Sequence, residues 1–155
     1  MAAGVNVQLV LRNPYRWQEV KPASVDVIVS GQTFEHTEFF WLTAREIARA
    51  LKTGGFVCII APSAGDEHRY PVDCWRVYPD GLRAVARYAG LKTLECWTQW
   101  ENRPQYDEES NKWHDSVLVA QKTQENAAAH WRRALHRWVD GLIEDSLGTA
   151  PPESS

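Results

Sequence analysis

Two short stretches hold most of the side chains able to do chemistry. The first is Ser30-Gly31-Gln32 with Glu35-His36, directly after the apolar run Val25–Val29. The second is Glu67-His68-Arg69-Tyr70-Pro71-Val72-Asp73-Cys74-Trp75-Arg76, after an apolar run that ends at Ala61. His36 is of the type that titrates near neutrality and suits general-base work. Glu35 and His36 either line a site or cap the helix that follows. In the longer stretch, Arg69 and Arg76 either converge on a ligand or pair with Asp66 and Asp73 and simply order the loop. Long loops of mixed charge and aromatic character are common carriers of function. Cys74 is not expected to be a nucleophile, because no base stands at a recognised spacing from it. No metal site is expected either, since His36, His68, His114 and the cysteines lack ligand spacing.

The elements that must position these residues are legible from pattern. Val5, Val7, Leu9 and Leu11 alternate with polar residues, which predicts a half-buried strand over Val5–Leu11 that ends at Asn13-Pro14. Val25–Val29 is β-branched and continuous, as in a strand covered on both faces. Phe40, Ala44, Ile47, Ala48 and Leu51 recur at helical spacing, and Gly54-Gly55 is expected to stop that helix. Phe56–Ala61 is a second apolar strand. Strand, helix and strand make a parallel, right-handed βαβ unit. Asp80 is expected to cap a helix carrying Leu82, Val85, Ala86 and Ala89 and closed by Gly90. Strands follow at Leu91–Trp100 and Ser116–Gln121, separated by a polar loop. A long helix is predicted over 124–147, with Trp131, Leu135, Trp138 and Leu142 forming a seam, and 148–155 as a disordered tail. Its basic residues lie beside Asp140, Glu144 and Asp145, so an ordinary solvated face is expected.

Composition narrows the class. A chain of 155 residues suits a single domain, here taken as residues 1–147. A net charge of −3 gives no overall electrostatic case for binding nucleic acid or an acidic membrane surface. No apolar run is long enough to span a membrane, and the N-terminus lacks a signal pattern. Three cysteines without CxxC spacing point to a reducing, cytoplasmic setting. Eight tryptophans are many for this length, and several are expected in the core or at an interface.

The order of these features resembles the second half of the class I S-adenosylmethionine-dependent methyltransferases, from about Ser24 to Lys122. The resemblance is carried by Val25-Asp26-Val27-Ile28-Val29, Glu35-His36, Leu51-Lys52-Thr53-Gly54-Gly55 and Ile59-Ile60-Ala61-Pro62. Beyond these, Tyr70-Pro71-Val72-Asp73-Cys74-Trp75-Arg76 ahead of Tyr78-Pro79-Asp80-Gly81-Leu82 is similar to a subgroup of uncharacterised methyltransferase-like proteins. The resemblance implies an α/β fold: a truncated Rossmann-like methyltransferase sheet, mostly parallel with one antiparallel strand, Ser116–Gln121, plus the long C-terminal helix. It places Ser30, Gly31, Gln32 and Glu35 near the cofactor, S-adenosylmethionine. It assigns His68, Arg69, Trp75 and Arg76 to the substrate side, with His36 or Asp73 as base.

The chain departs from that family where the cofactor should bind. The family holds it on a glycine-rich loop after the first strand, where the missing side chains let the backbone approach the ligand. Here none of the nine glycines forms a G-x-G pair. Only 24 residues precede Val25, fewer than the ~30 that one βαβ unit needs. Val5–Leu11 would match the family's third strand, which does not neighbour the fourth. Three arrangements would cover the free edge of Val25–Val29: the Val5–Leu11 strand beside it, a symmetric pairing of two copies, or a separate polypeptide supplying an N-terminal half. The first is favoured, together with dimerisation through other surfaces, including the C-terminal helix. Two functions are therefore expected to compete. One is a methyltransferase-like protein that is inactive or incomplete as an isolated chain, and the other is a non-catalytic, homo-oligomeric interaction protein.

Overall fold

The computed structural model describes residues 6–124 and, further on, residues 131, 134, 135, 138, 139, 141 and 142. The chain divides into two compact units, Met1–Thr123 and Gln124–Ser155. In the second unit Gln124 is not helical, while the described positions from 131 onward are, with Trp131, Leu135, Trp138 and Leu142 exposed. The rest of the helix expected over 124–147, and the tail at 148–155, lie outside the described residues.

The first unit runs β1 (Val25–Gly31), a 3-10 turn (Phe34–His36), α1 (Phe40–Ala50), β2 (Leu51–Ala61), α2 (Pro79–Ala89), β3 (Lys92–Thr98), α3 (Glu108–Asn111) and β4 (Ser116–Gln121). The four strands form one sheet in the order β1-β2-β4-β3. β1 pairs parallel with β2, with Ile28 opposite Val57 and Ser30 opposite Ile59. β4 pairs antiparallel with both β2 and β3. The sheet is thus mixed. Three strands share a direction, but two of the three pairings are antiparallel, because the reversed strand is inserted between the others. This corrects the expectation of a mostly parallel sheet.

One face of the sheet carries the core. Val57, Ile59 and Ala61 of β2 alternate inward with Leu118 and Ala120 of β4. Ile47 and Ala48 of α1 and Leu82 and Ala86 of α2 close over them. Fully burying side chains of this size contributes roughly 2 kcal/mol each, which makes this layer the main source of stability. The opposite face holds Val27 and Val29, which are 58% and 69% exposed, with Phe56 and Trp97 also exposed. β1 is therefore an edge strand with one bare face. The continuous apolar pattern that suggests cover on both sides describes its composition and not its surroundings.

The expected strand at Val5–Leu11 does not form over its described residues, 6–11, and Val7 and Leu9 are exposed. Alternation alone cannot make a strand without a ladder partner, and the next stretch is drawn elsewhere. Trp17 packs on the core, and its amide donates to Glu46 Oε2 at 2.8 Å. Arg49 donates to the carbonyls of Trp17 and Val20 at 2.7 and 2.9 Å. The segment is thus tied to α1 and does not lie beside β1.

Two boundaries also move. Gly54-Gly55 does not stop α1, since Leu51 is already extended and begins β2. The glycines serve a bulge inside β2, where the register with β1 shifts. Gly54 sits at φ +87°, and a Cβ on Gly55 would lie 2.8 Å from the Asp26 carbonyl oxygen. At α2 the N-cap is Tyr78, with Pro79 in the first turn, and Gly90 closes the helix in the left-handed conformation. Asp80 does not cap the helix. It sits inside the first turn and pairs with Arg83 at 2.9 Å.

Candidate functional site

The chain leaves β1 at Gly31 and tightens into the 3-10 turn. Phe34 drops into the core and anchors that turn, which directs Glu35 inward and leaves His36 half-buried. The loop after β2 then folds back onto it. The Cys74 amide donates to the Glu35 carbonyl at 2.7 Å, and His36 Nδ1 donates to the Val72 carbonyl at 2.6 Å. Trp75 Nε1 donates to the Thr37 carbonyl at 3.1 Å. The loop is closed at its base, where the Val77 amide donates to the Pro62 carbonyl and Ser63 Oγ donates to that of Val77. These contacts gather the two chemically rich stretches over the carboxyl ends of the parallel pair β1 and β2, the end at which open α/β sheets bind ligands.

Asp73 organises the loop. Its Oδ1 and Oδ2 accept from Arg76 Nη1 and Nη2 at 2.6 and 2.9 Å, and Oδ2 also accepts the His68 amide at 2.7 Å. The Arg76 hydrogen bonds, helped by the His68 amide, lower the Asp73 pKa to about 2. A carboxylate so satisfied is a poor base. Arg76 also reaches the Asp66 carbonyl at 2.7 Å. Arg69 takes a different partner from the one considered for it, pairing with Glu67 at 2.8 Å in solvent.

Glu35 is the contrasting carboxyl. It is 0% exposed, and neither oxygen has a hydrogen-bond partner. Burial raises its pKa, opposed more weakly by its own backbone amide and by His36, His68 and Arg76. His36 Nε2 lies 3.6 Å from Glu35 Oε1. The rings of His36 and His68 meet edge to face at 4.8 Å, and Tyr70 stands beside both.

The structure therefore brings together Glu35, His36, His68, Asp73 and Arg76. Ser30 and Gly31 lie at the end of β1, and the Gln32 amide is held 3.0 Å from both oxygens of Asp115. Trp75 is chiefly structural, packed edge-on against Phe40 and Trp41. Trp113 is a member that pattern reading misses. Its ring lies 4.6 Å from that of His68, tilted by 55°, with Arg76 and Lys112 near it. A tryptophan among the polar residues of the loop before β4 was the only available signal.

Residues 3–59 match the family described as methyltransferase domain. No curated protein matches the chain. Among solved structures, the chain is similar to the complex between the Haloferax volcanii Trm112 methyltransferase activator and a methyltransferase, at 18% identity and a TM-score of 0.53, covering 69% of this chain and 57% of that one. It is also similar to a SAM-dependent methyltransferase from Methanosarcina mazei, at 12% identity and a TM-score of 0.57, covering 74% and 66%. A third is Haemonchus contortus phosphoethanolamine N-methyltransferase 2 in complex with S-adenosyl-L-methionine, at 14% identity and a TM-score of 0.53, covering 72% and 36%. The chain thus spans less than two thirds of each of these structures' own chains. Residues 3–59 are thus similar to a methyltransferase domain, and the first unit shares the fold of these SAM-dependent methyltransferases.

Proposed function

We propose that this domain presents the methyl-acceptor side of a methyl-transfer centre and that the chain as given does not hold S-adenosylmethionine on its own. The observation that supports this reading is the meeting of the Glu35-His36 turn with the 62–78 loop at the carboxyl ends of β1 and β2. In methyltransferases of this fold, S-adenosylmethionine supplies an electrophilic methyl group. The residues proposed for its side do not fit it unaided. Glu35 is sealed beneath the surface, the Gln32 side chain is engaged by Asp115, and the sequence has no G-x-G loop. His36, His68 and Arg69 are left for an acceptor, while Trp75 and Arg76 hold the loop in place. Among these, His36 can receive a proton at Nε2 while Nδ1 stays bound to Val72. Asp73 orients Arg76 and His68 and does not itself take the proton.

Calorimetric titration of the isolated chain with S-adenosylmethionine and with its demethylated product tests the reading. No saturable heat is expected. Stoichiometric, saturable binding would overturn it in favour of a self-sufficient enzyme.

The exposure of Val27 and Val29 on an edge strand favours a second reading, in which the chain is a homo-oligomeric interaction protein whose copies pair through β1. Light scattering would detect the dimer, and Val29→Lys should dissociate it. A monodisperse monomer at high concentration removes this reading.

A further inference from the structure

We propose that Glu35, His36 and His68 form a three-ligand site for a divalent transition-metal ion of the zinc class, with one coordination position left open. Each residue offers one ligand atom, and the three atoms lie within 4.8 Å of one another. In a tetrahedral site with ligand bonds of about 2.0–2.1 Å, neighbouring ligand atoms sit ~3.3 Å apart. The widest pair therefore has to contract by about 1.5 Å, and His68, the least buried of the three ligands, has the freedom to do so.

Three further features point the same way. First, the Glu35 carboxylate is wholly enclosed, and neither oxygen receives a hydrogen bond. Burying such a group without a donor is costly, and a cation at the centre of the cluster would remove that cost. Arg76 does not play this role, because Nη1 and Nη2 are engaged by Asp73 and by the Asp66 carbonyl, and Nε makes no hydrogen bond. Second, His36 is held as metal-bound imidazoles usually are. Nδ1–H donates to a backbone carbonyl, which fixes the tautomer and leaves the Nε2 lone pair on the Glu35 side. Third, His68 Nδ1 lies 3.5 Å from Asp73 Oδ2, a carboxylate whose two oxygens are held in place by Arg76. An anion beside a ligating imidazole raises its basicity.

The donor set selects the ion. Two imidazoles and one carboxylate suit zinc, cobalt or nickel, whereas magnesium and calcium prefer oxygen alone. With three protein ligands the fourth position takes water or a polar atom of a bound molecule, which the metal would polarise. The site stands on these side chains alone, and an ion bound there would occupy His36 Nε2 and so exclude the base role proposed for that nitrogen.

The test uses untagged full chain, stripped with chelator and titrated with cobalt(II) alone by visible absorption, then with zinc(II) by calorimetry and by displacement of the cobalt. One equivalent is expected to bind with the visible bands of four-coordinate cobalt. His68→Ala and Glu35→Gln should each weaken binding about 100-fold or more, and His114→Ala should leave it unchanged. Circular dichroism reports whether the variants fold. If Glu35→Gln does not fold, the less buried His68→Ala decides the matter. Absence of saturable binding, or full-strength binding in folded His68→Ala, overturns the proposal.

Discussion

Both oxygens of Asp73 are gripped by Arg76, at 2.6 and 2.9 Å, and this pair holds the loop after β2 against the turn that carries Glu35 and His36. Asp73→Asn removes the charge but keeps the shape, leaving a half-buried guanidinium without its anion. The expected loss is about 2–3 kcal/mol at neutral pH, read as a shift in the urea midpoint. Arg76→Lys, with Asp73 intact, should lose only part of that amount, because an ammonium keeps the charge but cannot bind both oxygens at once.

The same pair sets an acid limit. The Asp73 pKa is lowered in the folded state, from an ordinary 3.8 to about 2. Its contribution is therefore complete above pH ~4 and is lost as pH falls towards 2. Wild-type and Asp73→Asn stabilities should converge in that window and stay apart above it. Chemical denaturation at a series of pH values between 2 and 7 measures this. A gap of constant size down to pH 2 would show that the carboxylate charge is not what Arg76 holds.

Gly65 admits Trp113. A Cβ there would stand 2.2 Å from Trp113 Cε3, and the residue sits at φ +93°. Gly65→Ala should cost about 2 kcal/mol through strain and displacement of the indole. Trp113 should also leave His68, so tryptophan emission should shift. Unchanged emission would mean that the ring is not held where the structure puts it.

The neighbouring glycines of the β2 bulge should respond differently. Gly54→Ala meets open space and bears only the left-handed backbone, about 1 kcal/mol. A Cβ on Gly55 would strike two carbonyl oxygens, Asp26 at 2.8 Å and Lys52 at 2.9 Å, and neither belongs to a flexible side chain. Gly55→Ala should therefore be the worse substitution in thermal denaturation, and the reverse order would contradict the bulge geometry.

The two faces of the sheet make a further pair. Val57 is buried and Val29 is exposed on the strand beside it. Val57→Ala should cost about 2 kcal/mol, and Val29→Ala less than about 0.5 in dilute solution. A cost at Val29 that grows with protein concentration would instead report pairing between copies.

Much of the scaffold could be read directly from the sequence. The 3.6 spacing of Phe40, Ala44 and Ile47 and the β-branched runs at Val25–Val29 and Phe56–Ala61 predict elements that form. Ser116–Gln121 appears with those bounds and in the antiparallel sense that the family resemblance implies. Such signals are local, because side-chain periodicity is imposed by one element's own geometry. The Gly54-Gly55 pair misleads for the same reason. A glycine reports permissive backbone, and only the approach of the Asp26 carbonyl shows that the permission is spent inside a strand.

The sequence by itself determined the strand-helix-strand unit and the two chemically rich stretches. Tertiary structure alone decided that β1 is left at an edge, because a strand's partner is chosen by the rest of the chain. The N-terminal segment is claimed by Glu46 and Arg49 of α1 and is not available to β1. It alone also decided that Glu35 is sealed without a hydrogen bond next to two imidazoles, one of them 33 residues away in sequence, at His68. No spacing rule announces that cluster. It exists because the backbone of Glu35 receives the Cys74 amide and His36 reaches the Val72 carbonyl, long-range bonds that form only once the loop has closed.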